Sequence, residues 1–185
     1  MVLVLGILLA LMVGVALWAM GIYNGLVALR NQVKNAWSQI DVQLKRRHDL
    51  IPNLVQTVKG YAGHERETLE SVIAARARAV SAQGVQEQSQ AEQGLSGALG
   101  RLMLVVEQYP DLKANQNFLS LQEELTSTEN RIGFARQHYN DSVMTYNTRI
   151  QKFPDNLVAG NFSFTTENFF ELQDEAVREA PKVSF

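Results

Sequence analysis

The residues best equipped for chemistry in this chain are its three histidines and one basic run. The imidazoles are His48, His64 and His138, and the run is Lys45-Arg46-Arg47-His48-Asp49. The histidines stand too far apart for a local metal pattern, and His64-Glu65 lacks the second His of the zinc-protease motif. The chain has no Cys, which removes disulfides, thiolate zinc sites and cysteine catalysis together. Carboxylates such as Glu129 and Asp141 could in principle do acid–base work. No nucleophile, oxyanion hole or glycine-rich phosphate loop accompanies them. The sequence thus points to no catalytic residue, no cofactor, no metal site and no enzyme.

Arg47 carries a different kind of chemistry. Apolar residues recur at 26, 29, 33, 37, 40, 44, 51, 54, 58 and 61, in steps of three and four. That is the signature of a helix burying one stripe. Arg47 is the residue that breaks the series, so its guanidinium falls at a buried position. A buried guanidinium needs a carboxylate and further hydrogen bonds. Glu129 and Asp141 are the candidate partners, in a structural polar layer that sets helix register.

The elements that must position this layer are helical. Pro52 lies within the first stripe, which keeps its phase across it, so a kink is expected there and not a stop. The first helix should end around Gly60 to Gly63. A second helix is expected from about Glu65 to Ala82, burying Leu69, Val72, Ile73, Ala77 and Val80. Residues 83–90 are polar and low in complexity and read as a loop or frayed end. A third helix follows from about Ala91 to Gln108. Tyr109-Pro110-Asp111 ends it, with Asp111 capping the next helix. In that fourth helix Phe118, Leu125, Ile132, Tyr139, Tyr146 and Phe153 recur every seventh residue. Leu121, Thr128, Ala135 and Ser142 or Val143 make the companion seam. This predicts a long helix, from Leu112 to Gln151, in coiled-coil-like contact with another.

Ahead of these helices, residues 1 to 29 carry no charged side chain. Val2 to Ile22 is apolar, and about 20 such residues span a bilayer as a helix. No basic n-region leads into the run, which favours a retained anchor over a cleaved signal peptide. Arg30, Lys34, Lys45, Arg46 and Arg47 follow it. Basic residues near a span stay on the cytoplasmic side, so the N-terminus is expected outside and the rest in the cytoplasm. Trp18 and Tyr23 suit an aromatic belt at the membrane interface. Gly6, Ala10 and Gly14 share one face of the anchor, and small residues at this interval let transmembrane helices pack closely. With one span per chain, such packing implies a homo-oligomer in the lipid bilayer.

After the anchor, about 160 residues remain, enough for one ordinary domain. The net charge of −2 offers no broad basic surface for nucleic acid. The expected fold is all-α: a transmembrane anchor at 1–22, an elongated antiparallel bundle of about four helices at 23–152, and an aromatic-rich tail at 153–185. Phe162 and Phe164 alternate in that tail, which suits a short extended piece. Its phenylalanines should pack on the bundle or dock to a neighbouring subunit or the membrane.

Longer motifs carry a resemblance. One runs from Asn31-Gln32-Val33-Lys34-Asn35-Ala36-Trp37 through Arg47-His48-Asp49-Leu50-Ile51-Pro52-Asn53-Leu54. Others are Tyr109-Pro110-Asp111-Leu112-Lys113-Ala114-Asn115, Thr128-Glu129-Asn130-Arg131-Ile132 to Tyr139-Asn140-Asp141, Phe153-Pro154 and Pro181-Lys182-Val183. In these the chain resembles the LemA family of small bacterial membrane proteins, over nearly its whole length except residues 83–94. The resemblance implies an N-terminal membrane helix, a cytoplasmic helical bundle and no established enzymatic activity. Some relatives of that family are associated with bacterial organelle membranes. The resemblance leaves the function open; the Gly6, Ala10 and Gly14 face, the long rigid helices and the aromatic tail lead to the expectation of a self-associating scaffold that organises or shapes the bacterial inner membrane. The alternative is a binding module that regulates a partner membrane protein, such as a protease or receptor complex.

Overall fold

The computed structural model describes residues 1–171, and every regular element among them is an α-helix. The order is α1 (Val2–Lys59), α2 (Arg66–Ser81), α3 (Gly84–Val106), α4 (Pro110–Lys113), α5 (Gln116–Gln151) and α6 (Asp155–Asn161). No strand forms around Phe162 and Phe164; the chain there leaves α6 and runs on as irregular backbone. The Pro181-Lys182-Val183 motif and the rest of the expected tail beyond 171 lie outside the described residues. The helices group into two compact units. One comprises residues 1–40 and 135–168, the other 41–134 and, among the described residues, 169–171.

The first unit contains the apolar start of α1. It is long and apolar enough to cross a membrane, and no residue before Ile22 is buried. From Ile22 onward the stripe Ile22, Leu26, Val33, Ala36 and Ile40 is covered. The covering side chains come from the second half of α5, from α6 and from the chain after it. Trp37 meets Tyr139 edge-on at 5.4 Å. Further up, a side-chain carbon at Gly25 would come within 3.2 Å of the Arg149 guanidinium. The contacts advance along α1 as they retreat along α5, so the two helices run antiparallel here. Residues 164–168 are clipped onto α5 by backbone bonds. Asn147 donates to the Glu167 carbonyl and accepts from the Glu167 N–H, both at 2.9 Å. The Tyr139 hydroxyl donates to the Asn168 carbonyl at 2.8 Å.

The second unit has its core where α1, α2, α3 and α4 meet. Ile51, Leu54 and Val58 of α1 pack with Leu69 and Val72 of α2, Leu95 and Leu102 of α3, Leu112 of α4 and Phe118 of α5. The expected face of α2 is rotated. Ala75 and Ala79 are buried beside Leu69 and Val72, whereas Ile73, Ala77 and Val80 point outward. Small alanines on the inner face let α2 approach α3 closely, which outweighs burial of the two larger branched residues. The expected loop at 83–90 is also corrected: α3 starts at Gly84. Gly84 has φ 77°, a left-handed conformation that glycine adopts without steric cost, and this reverses the chain between α2 and α3.

The fourth helix begins later than its pattern suggests. α4 is a separate turn, and Asn115, not Asp111, caps α5. Its Oδ1 accepts from the N–H groups of Asn117 and Phe118 at 2.9 and 3.1 Å. The seventh-residue series holds through Phe118, Ile132, Tyr139 and Tyr146, all buried. It fails at Phe153, which stands after the end of α5 and is 73% exposed. Buried hydroxyls within the seam are satisfied by the preceding turn: Thr128 donates to the Glu124 carbonyl and Ser142 to that of His138.

Tyr139 makes the first unit sensitive to alkali. Burial first, and then the Glu167 carboxylate, push its phenol from 10.0 up to about 12. Tyr146 is raised for the same two reasons, against an opposing pull from Arg30. A folded-state value above the unfolded one gives stability that is complete below the unfolded value and lost as pH rises through the folded one. Thermal unfolding of the full-length protein in detergent should therefore fall between pH 10 and about 12. Tyr139→Phe should flatten that fall; an unchanged slope would show that Tyr139 does not carry it.

Candidate functional site

The densest polar chemistry of the described residues lies inside the second unit, around one buried carboxylate. Glu92, on α3, is only 2% exposed. The stripe of α3 runs Leu95, Leu99, Leu102 and Val106, and its phase extended backward by one turn arrives at Glu92. A carboxylate in such a place is tolerated only when its charge and lone pairs are answered. Arg47 Nη1 donates to Oε2 at 3.1 Å and His48 Nε2 to Oε1 at 2.6 Å. Gln88, one turn earlier on α3, donates to Oε1 at 3.0 Å and also sits 3.0 Å from the Ala79 carbonyl of α2. Oε1 thus accepts two bonds and Oε2 one.

Arg47 is answered in turn. It is 5% exposed at the stripe position of α1. Its Nη2 donates to Ser96 Oγ at 2.8 Å and pairs with Glu129 Oε2 at 3.0 Å. Glu129 is half exposed, so its bond to Arg47 is the solvent-side edge of the cluster. Asp141 belongs to the other unit, at an exposed position on α5. A second, half-exposed pair, Arg46 with Glu124 at 3.4 Å, repeats the α1 to α5 connection at the surface.

Pro52 explains a further member. Proline has no N–H, so the carbonyl four residues earlier, that of His48, loses its helical donor. Arg76 Nε of α2 takes that place and donates to the His48 carbonyl at 2.7 Å. α1 continues through Pro52 to Lys59 with this bond supplied from outside. Side chains from α1, α2, α3 and α5 therefore converge on one turn of α1, at residues 47 and 48.

Both oxygens of Glu92 are bonded to protein donors, and the side chain is enclosed from solvent. Among the described residues no His, Cys, Asp and Glu cluster is fit to hold a metal. An open groove of about 990 Å³ lies beside the cluster, between α1 and α2, over Ile51, Pro52, Val55, Leu69 and Ile73. Arg76 reaches its edge. Of the remaining residues singled out by sequence, Gly6, Ala10 and Gly14 are uncovered on α1 and Trp18 is half exposed. Tyr23 is partly covered, its ring 4.8 Å from Phe162 and 5.6 Å from Phe164.

Sequence reasoning reached Arg47 and missed Glu92, Gln88, Ser96 and Arg76. The signals were present. Glu92 continues the α3 stripe backward, and Arg76 completes the α2 series Leu69, Val72, Arg76, Ala79. Both were hidden because a polar residue at a stripe position reads as the end of the stripe.

The whole cluster falls within a stretch, residues 36–185, that matches the model of the LemA family. The chain belongs to the LemA family. A LemA protein of Metamycoplasma hominis is 29% identical over 153 residues, covering 82% of this chain and 69% of that relative. Two magnetosome MamQ proteins of Paramagnetospirillum magneticum are each 29% identical over 175 residues, covering 80% of this chain. The magnetosome MamQ protein of Magnetospirillum gryphiswaldense is 28% identical over 174 residues, with the same coverage. This LemA-family chain spans 64% of the length of the MamQ relatives it matches.

Two sets of variants test the cluster. Glu92→Leu removes the buried acceptor shared by the Arg47 guanidinium and the His48 ring and should cost about 3–5 kcal/mol of unfolding free energy. Arg47→Leu should cost a similar amount, and the double variant should lose much less than the sum. Strictly additive losses would remove the coupling. Arg76→Leu should cost about 1–3 kcal/mol by orphaning the His48 carbonyl. In a Pro52→Ala background, where residue 52 regains its N–H, the same change should cost clearly less. Equal costs in both backgrounds would show that Arg76 acts elsewhere.

Proposed function

We propose that this protein is a non-enzymatic, membrane-anchored scaffold that self-associates at the bacterial inner membrane and organises or shapes it. The observation that carries the reading is α1 itself. One helix passes without interruption from an uncovered, uncharged segment into the segment that carries Arg47 and the core of the second unit. An anchor joined through helix, and not through a flexible linker, holds the covered part of α1 in the first unit at a defined distance from the bilayer. Gly6 and Gly14 have open space beside them, so the face they share with Ala10 is free to meet a neighbouring anchor.

In this reading the helices after the anchor form an antiparallel bundle in the cytoplasm, with the N-terminal end of the span outside. Arg30 and Lys34 at the inner end support that direction. The Arg47, Glu92 and Glu129 layer serves as a register lock, a use for which buried polar groups are well attested. Asp141 is left for contact with a second subunit. Similarity to proteins named for the magnetosome supports a role in organising a cellular structure. The enclosure of Glu92 among protein donors supports a structural role for the cluster.

A second reading, regulation of a partner membrane protein, is favoured by the open groove between α1 and α2. Light scattering and particle imaging of the full-length protein in mild detergent separate the two. A large, closed and regular assembly that breaks up in Gly6→Leu/Gly14→Leu is expected for the scaffold. A monodisperse monomer or small dimer would overturn it, and a protein co-purifying in fixed ratio would favour regulation.

A further inference from the structure

The end of the anchor and the first covered residues of α1 share a boundary. From Val2 to Tyr23 the helix rises about 32 Å at 1.5 Å per residue, the thickness of a bilayer's hydrocarbon core. Burial begins at Ile22, just inside that end. The corner between α5 and α6 covers it. Arg149 lies against Gly25, and Lys152 and Phe153 follow directly after the end of the antiparallel α5, in the direction of Tyr23 and Ile22. Arg149 is tied across the corner to Asp155 of α6 at 2.7 Å. Just past α6, the Phe162 ring meets that of Tyr23 at a tilt, 4.8 Å between centres. Phe164 meets Tyr23 at 5.6 Å and carries the Arg30 guanidinium over its ring at 5.1 Å.

The outer side of the corner carries three large apolar side chains among polar ones such as Asn156 and Asn161. Phe153 is 73% exposed, Leu157 56% and Phe162 59%, and Lys152 is exposed beside them. Large side chains left in water at the foot of a membrane helix need a partner. Register with the anchor says which one: the headgroup layer of the same bilayer. Aromatic rings favour that layer, and a lysine there places its stem among apolar groups and its ammonium among phosphates.

We propose that the α5–α6 corner with Phe162 is a second membrane contact, an interfacial foot that seats in the headgroup layer of an anionic bilayer beside the anchor. Phe153, Leu157 and Phe162 enter the boundary between headgroups and chains, and Lys152 pairs with lipid phosphate. The foot fixes the rotation of α1 about its own axis, which a bare single span leaves free. This inference rests on the reading of α1 as a membrane span.

The absence of native cysteine makes the test direct. Full-length protein with Leu157→Cys, Leu9→Cys or Val42→Cys would carry one environment-sensitive fluorophore each. The protein would be reconstituted in phosphatidylcholine vesicles with and without phosphatidylglycerol, and nitroxide lipids would report depth. The expected result is a blue-shifted label at 9 quenched from deep in the bilayer, a label at 157 quenched from the headgroup level, and an unquenched label at 42. Adding Lys152→Glu to Leu157→Cys should reduce quenching in the anionic vesicles and leave it unchanged in the neutral ones. A shielded label at 9 with a water-exposed label at 157 overturns the foot and leaves the anchor standing. A water-exposed label at 9 overturns both. Insensitivity to Lys152→Glu in anionic vesicles overturns the pairing with phosphate.

Discussion

The second unit depends on how one buried carboxylate is neutralised. Glu92 occupies a position that the packing of α3 would otherwise give to a leucine, and water cannot reach it to share its charge. Its bonds to Arg47 and His48 are therefore conditions for α3 lying against α1 at all. A buried ion pair of this kind adds little net stability compared with apolar residues of the same volume. Its effect is on which alternatives are allowed. A slip of α3 by one turn would leave a carboxylate and a guanidinium separately buried, at a cost of several kcal/mol. An apolar seam would tolerate the same slip far better.

The sequence disclosed the parts of this fold that are apolar and periodic. The stripe of α1 from Leu26 to Val58 and the series of α5 from Phe118 to Tyr146 could be read directly, because leucine-like residues at helical spacing have few other uses. The early part of α3 could not. Its inward positions are filled by Ser89 and Glu92, whose partners are the Glu171 carbonyl and the Arg47–His48 pair. Those partners are distant in sequence, so composition suggested a loop where tertiary contacts make a helix. α2 misled in the opposite way: Ile73 and Val80 looked like core, and alanines formed the close contact. α6 was missed because it is short, and Phe153 continued a period after the helix that set the period had ended.

The first unit is held by a different logic. The Asn147 side-chain amide and the Tyr139 hydroxyl bond the backbone of Glu167 and Asn168 and fix an irregular stretch of chain along α5, and Phe164 in that stretch lies against Arg30 and Tyr23. Arg30 meets an aromatic face there in place of a carboxylate. The side of α1 that continues the anchor is thus covered by rings and amides. In the second unit the same helix is covered by charge pairs.

Pro52 gives α1 a gap in its own hydrogen bonding that only another helix closes. During synthesis α1 leaves the ribosome before α2, and until Arg76 arrives the His48 carbonyl has water as its partner. The segment beyond residue 48 therefore has a looser attachment to the preceding turns while the chain is young, and becomes one with them when α2 folds back. A helix interrupted in this way delays its own completion until the element that closes the gap has been made.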